Sequence, residues 1–161
     1  MFKAIIQCCA VIAIIGACGC SQSSSNRVVV WSPKTQLLDD YAEQNPQKAA
    51  FVHDVKEFYE HLHNKNWPET YNQRIKEFRD DCPEQVYMNI ASNSPWELKD
   101  YEVLSVTSYD TNRVELICKF IEEPFDHVSY SNVTWTFEDG MWRCDCAGPI
   151  RLSIFLRIRA P

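Results

Sequence analysis

The chain of 161 residues has no apolar run long enough to cross a bilayer. Its longest, from Ala4 to Ala17, is about 14 residues, whereas a hydrocarbon core needs roughly 20. A spanning helix is thereby disfavoured, and a cleaved export signal with Lys3 as its positive start fits the length better. Basic residues are also in short supply. Sixteen Lys and Arg face 22 Asp and Glu, for a formal charge of −6, and nucleic acid is a poor partner for such a chain. The balance shifts only at the end: from Arg143 to Pro161 four Arg stand against one Asp, the pattern of a strand whose exposed side uses arginine. What remains is ordinary for a globular domain. With 45% hydrophobic and 12% aromatic residues over the whole chain, apolar surface enough for one core remains after the signal.

The string Ile15-Gly16-Ala17-Cys18-Gly19-Cys20 is followed by the polar run Ser21-Gln22-Ser23-Ser24-Ser25. Aliphatic and small residues just before a cysteine resemble the lipobox of bacterial lipoproteins. That resemblance implies cleavage before Cys18, which would carry the lipid; Cys20 is the alternative, with Ala17 in its aliphatic position. It also implies a bacterial cell-envelope location, anchored to a membrane through the N-terminal lipid, with the leaflet left open. Residues 1–17 then form the signal and residues 18–48 a polar tether, since Pro33 and Pro46 interrupt regular structure. Within the tether, Val28 to Trp31 is a short apolar patch, either paired to a sheet edge or folded back on the domain.

Residues 49–161 read as the folded domain. From Ala49 to His63, the residues Phe51, Val52, Val55, Phe58, Tyr59 and Leu62 share one side of a 3.6-residue wheel, which predicts an amphipathic helix. Pro68 suits the start of a second helix, continued by Tyr71, Ile75 and Phe78 to about Asp80, and Glu84 to Ala91 predicts a short third. The period then changes to two. Leu98 to Tyr109, Arg113 to Ile121, Val128 to Glu138 and Met141 to Ala147 read as strands of a meander. Ile150 to Arg159 alternates apolar with mostly Arg residues and predicts a fifth strand. Asp139-Gly140 is a two-residue hairpin signal and Thr111-Asn112 a weaker one. The first sets Phe137 opposite Trp142, Trp135 opposite Cys144 and Val133 opposite Cys146 on the core face. Asn132, Thr134, Thr136, Arg143 and Asp145 then fall on a solvated face. The inner set continues with Val114, Leu116, Cys118 and Phe120, and with Val103, Ser105, Thr107 and Tyr109 across from them. The fold class is therefore α+β, with N-terminal helices packed on a curved antiparallel sheet of four to five strands.

That arrangement, closing on the hairpin Trp135-Thr136-Phe137-Glu138-Asp139-Gly140-Met141-Trp142-Arg143, resembles the nuclear transport factor 2-like superfamily, a cystatin-like cone, over roughly Ala49 to Pro149. The resemblance implies a fold and no single chemistry, because the superfamily includes isomerases and dehydratases, ligand binders and exported lipoproteins. Its enzymes place an acid, a Tyr or a His inside the cone. The inward set here has no carboxylate, so no catalytic residue is assigned. Tyr59, Tyr71, Tyr109, Trp135, Phe137 and Trp142 are the candidates for the inner face or a pocket. A binding or interaction module without catalysis is the first reading, taking an unknown protein or a small apolar ligand. A small enzyme of the ketosteroid isomerase-like kind is the alternative, and a homodimer through the outer face of the sheet is a further arrangement.

The remaining reactive residues point to structure. His53, Glu57 and His61 lie four apart on one helix side, a spacing suited to Zn²⁺, but the wheel sets them opposite the apolar stripe. A solvated face is expected, with no metal or cofactor. Cys144 and Cys146 share a strand face at a separation of about 6.5 to 7 Å between Cα atoms, too long for a relaxed disulfide. Cys82, at the end of the second helix, is expected to bond Cys144 or Cys146 instead, leaving Cys118 over.

Overall fold

The alternating segments form the expected meander. The computed structural model describes residues 31–124 and 126–145. In it β1 (Glu97–Ser108), β2 (Arg113–Glu123), β3 (His127–Glu138) and β4 (Met141–Cys144) pair antiparallel in the order β1-β2-β3-β4. Asp139 (φ 54°) and Gly140 (φ 84°) both take the left-handed backbone that a tight hairpin turn requires. The register follows: Phe137 faces Trp142 and Trp135 faces Cys144, as the sequence predicts. The expected Val133 to Cys146 pair and the fifth strand over 150–159 lie outside the described residues. Thr111-Asn112 does not form a two-residue turn. Neither residue has positive φ, and the backbone N–H of Tyr109 reaches the Arg113 carbonyl at 3.0 Å across a longer loop.

Three positions of the predicted inner face, Ser105, Thr107 and Tyr109, are wrong, and a bulge is the reason. Val103 pairs with Cys118 but Ser105 pairs with Ile117, so Leu104 is an extra residue in β1. An inserted residue exchanges the faces of everything beyond it. Val106 and Ser108 therefore stand opposite the buried Leu116 and Val114, while Ser105, Thr107 and Tyr109 leave the inner face. Tyr101, which the sequence reading passed over, is buried there.

The helices cover the inner face and give an α+β fold with a curved, unclosed sheet. α1 (Gln36–Gln44) lies within the stretch expected to be irregular. Leu38, Tyr41 and Ala42 sit at i, i+3 and i+4, and the two prolines bound the helix without interrupting it. Leu38 is fully buried, Lys34 pairs with β1 through Lys34 N to Tyr101 O (3.0 Å) and Val103 N to Lys34 O (3.1 Å), and Trp31 stacks on His63 at 4.0 Å. α2 (Ala49–His63) is the predicted amphipathic helix and buries Phe51, Val52, Val55, Phe58 and Tyr59.

The second predicted helix is broken in two. α3 (Trp67–Asn72) and α4 (Lys76–Asp81) are separated by a linker that runs along the edge of β4. There Cys144 N donates to Gln73 O (2.8 Å) and Ile75 N to Cys144 O (3.3 Å). Those backbone groups of the edge strand need partners, and satisfying them outweighs continuing the helix. α5 (Glu84–Ser92) follows as expected. The main core lies between α1, α2 and the sheet; a second cluster of Trp67, Tyr71, Phe78, Cys82, Tyr87 and Ile90 lies among α3, α4 and α5. No helix of the described residues is long and apolar enough to cross a membrane.

Candidate functional site

The six candidate residues separate into four environments. Trp135 is 0% exposed and its ring lies nearly perpendicular to those of Phe51 and Phe58, with centroids 6.2 and 5.4 Å away. Tyr59 is buried beside it in the core, its hydroxyl 3.9 Å from the Cys118 sulfur and its ring 4.3 Å from Tyr101. Burial raises the pKa of both tyrosines, so each stays neutral and serves as packing. Tyr71 belongs to the second cluster, where its hydroxyl donates to the carbonyls of Arg79 and Cys82. Tyr109, on the far side of the bulge, is 59% exposed and its hydroxyl reaches Glu115. Only Phe137 and Trp142 come together at a surface.

They form part of an open cleft of about 570 Å³ at the end of the sheet, lined also by Tyr41, Lys48, Ser108 and Asp110. Phe137 is 40% exposed and packs 5.5 Å from the Trp142 ring. The Lys48 ammonium is 4.5 Å from the centroid of Trp142 and donates to the carbonyls of Asp110 (3.3 Å) and Thr111 (2.6 Å). Desolvation lowers its pKa, partly opposed by Asp110. Asp54 accepts the Trp142 backbone N–H at 2.9 Å and so holds β4 against α2. An aromatic wall with a few fixed polar groups suits a flat apolar ligand that carries a hydrogen-bonding edge. Tyr41 and Lys48 escaped the sequence reading because they fall where a tether was expected.

The inner side also holds a carboxylate that the sequence reading missed. β2 runs to Glu123, two residues further than predicted, and alternation puts Glu122 on the same side as Phe120. Glu122 is 4% exposed and accepts a hydrogen bond from Ser129 Oγ at 3.0 Å. Burial raises its pKa above the ordinary 4.5, with Ser129 and His127 opposing. The i+2 spacing from Phe120 was the available signal. A carboxyl with a raised folded pKa holds its proton more tightly when folded. The stability this provides is complete below about pH 4.5 and is lost as pH rises through the folded value. Glu122→Gln, which can still accept from Ser129, is therefore expected to be more stable than the wild type at pH 7 and equal to it near pH 4. Urea unfolding at the two pH values checks this, and a variant less stable at pH 7 would refute it.

Cys82 and Cys144 are not joined. Cys82 sits in the second cluster and Cys144 in the main core, and the buried Arg74 stands near both, with Nη1 3.7 Å from the Cys144 sulfur. Burial raises the pKa of Cys82 and Arg74 opposes that. Cys18, Cys20 and Cys146 lie outside the described residues. Arg143, expected on the solvated face, is buried: its guanidinium donates to the Asn72 carbonyl and lies 3.8 Å from Glu138, because the end of α3 covers it. The outer face is polar at Asn132, Thr134 and Thr136 but carries exposed Ile117 beside Asn132, and Val128 and Tyr130 toward its other end. Compared with known proteins, the chain matches no family model and no curated sequence.

Proposed function

We propose that this chain is a lipid-anchored protein of the bacterial cell envelope whose domain binds a small apolar ligand in the cleft between Phe137, Trp142 and Tyr41. The observation that carries the reading is the cleft itself. Its volume lies within the roughly 300 to 1,000 Å³ typical of small-molecule sites, and Phe137 remains 40% exposed in it, with Trp142, itself only 4% exposed, in its lining. The anchor rests on the Ile15-Gly16-Ala17-Cys18 motif. Because Trp31 already stacks on His63, the twelve residues between it and Cys18 reach at most about 45 Å, and the domain works close to the membrane surface. Helices on a curved sheet and the closing Asp139-Gly140 hairpin support a nuclear transport factor 2-like domain.

Glu122 favours a second reading, a small isomerase or dehydratase. It is a buried carboxyl with a raised pKa on the inner side of the sheet, as general acid–base work requires.

One preparation of the full chain, purified in detergent with 5-fluorotryptophan, tests the first reading. Mass spectrometry is expected to show a mature chain that begins at a lipid-modified Cys18; an unmodified cysteine or an intact signal would defeat the anchor. Titration with indole is expected to move the fluorine resonance of Trp142, to leave that of buried Trp135 in place, and to weaken several-fold in Phe137→Ala. No response at Trp142, or an equal one in the variant, would defeat the cleft.

A further inference from the structure

One face of α2 brings together groups that neither the cleft nor Glu122 uses. His53 Nε2 lies 4.0 Å from Glu57 Oε2, and ligand atoms of His53, Asp54 and Glu57 all lie within 4.8 Å of one another. Two donors on one tetrahedral zinc stand roughly 3.4 Å apart, since each Zn–N or Zn–O bond is about 2.0 to 2.2 Å. A rotamer adjustment of the exposed His53 closes that difference. His53 and Glu57 are one helical turn apart, so both reach the same point. Asp54 commits one oxygen to the Trp142 backbone N–H, which fixes the carboxylate and leaves the second oxygen for a ligand.

A second observation comes from the α3–α4 linker. Gln73 is only 3% exposed, its Nε2 donates to Glu57 Oε2 at 3.3 Å, and its Oε1 has no hydrogen-bond partner among the described residues. Its backbone carbonyl is held by Cys144 N–H, so the amide is brought to Glu57 by β4 and not by chance of a surface rotamer. Leaving a buried amide oxygen unsatisfied is costly, and a surface carboxylate needs no such buried support. A metal-bound carboxylate does, because outer hydrogen bonds orient it toward the ion. On the other side His61 Nε2 lies 3.8 Å from Glu57 Oε1, and the His61 ring is held by Asn66.

We propose that His53, Asp54 and Glu57 form a binding site for a divalent first-row transition-metal ion, with Zn²⁺ the best fit, and that Gln73 positions the Glu57 ligand. One imidazole with two carboxylates favours zinc over calcium or magnesium, which take oxygen donors alone. Three ligands on one helix leave the remaining coordination position to water, the form of an exchangeable site. The two carboxylates lie close together and half-buried, and a bound cation offsets both their repulsion and their desolvation.

The test is calorimetric titration of Zn²⁺ into the full chain in detergent, with accessible thiols first blocked by iodoacetamide. The wild type is expected to take one equivalent. His53→Ala and Glu57→Gln are each expected to weaken that event by about ten-fold or more, Gln73→Leu by a smaller factor, and His127→Ala not at all. His53 is 74% exposed, so His53→Ala removes a ligand without disturbing the core, and its circular dichroism should match the wild type. No uptake at zinc concentrations on the order of 100 μM, or equal uptake by wild type and His53→Ala, would overturn the site.

Discussion

Trp135→Ala is expected to lower the free energy of unfolding by about 3 to 5 kcal/mol, the range for removing a large aromatic side chain from a packed core. The ring is fully buried in the main cluster, nearly perpendicular to both Phe51 and Phe58, and its strand neighbours Val114 and Cys144 are buried in the same cluster. A domain of this size is stable by only about 5 to 15 kcal/mol, so the loss is a large share of the total. Trp135→Phe separates ring from indole. The indole N–H is buried and has no hydrogen-bond partner among the described residues, so the phenylalanine removes an orphan donor while keeping most of the aromatic contact. It should cost less than half of what alanine costs. Urea denaturation of the three chains decides the matter; a phenylalanine variant as damaged as the alanine one would show that ring stacking is not what holds this site.

Arg74→Ala is expected to cost about 2 to 4 kcal/mol and Arg74→Met less than about 1 kcal/mol. The side chain is 1% exposed, and its guanidinium carbon lies 4.7 Å from the centroid of Phe58, 5.5 Å from that of Phe78 and 6.0 Å from that of Tyr87. Phe58 belongs to the main core and the other two rings to the second cluster, so this one side chain couples the two. Contacts with Cys144 and Tyr87 hold the charged head in place. Alanine removes both the charge and the volume that fills the space between the clusters. Methionine removes the charge and its desolvation cost but keeps the volume, and apolar replacements of buried charged groups are often neutral. Thermal unfolding of both variants distinguishes the roles. Equal losses for alanine and methionine would mean that the polar contacts of the guanidinium, and not its bulk, hold the clusters together.

Much of the fold was legible because the signals are local. The apolar stripe of α2 and the alternation of β2 and β3 follow from residues within one or two turns or pleats of each other. Asp139-Gly140 needs only its own two backbone conformations to set the β3–β4 register. The site was less legible. Tyr109 and Tyr101 carry the same type of side chain eight residues apart, and strict alternation from the β1–β2 turn put Tyr109 inside. The bulge at Leu104 moved Tyr109 to the outer face and left Tyr101 inside, and nothing in the residues around it, Val103-Leu104-Ser105, announces an insertion. Lys48 reads as a polar tether residue until the 109–112 loop supplies its two carbonyls.

By itself the sequence determined the order and type of the principal elements, the hairpin that closes the meander, the acidic character of the chain and the N-terminal motif that suggests its address. All of these depend on neighbours along the chain, through side-chain periodicity, turn backbone preference or summed charge. Only the tertiary structure decided that Glu122 is buried, that Gln73 meets Glu57, that α3 and α4 part to pair with β4, and that Phe137 and Trp142 open onto a cleft. Each of these depends on where unpaired backbone groups and apolar surface, contributed by residues far apart in sequence, find partners. A strand edge or a buried side chain has no such partner until the whole domain has assembled.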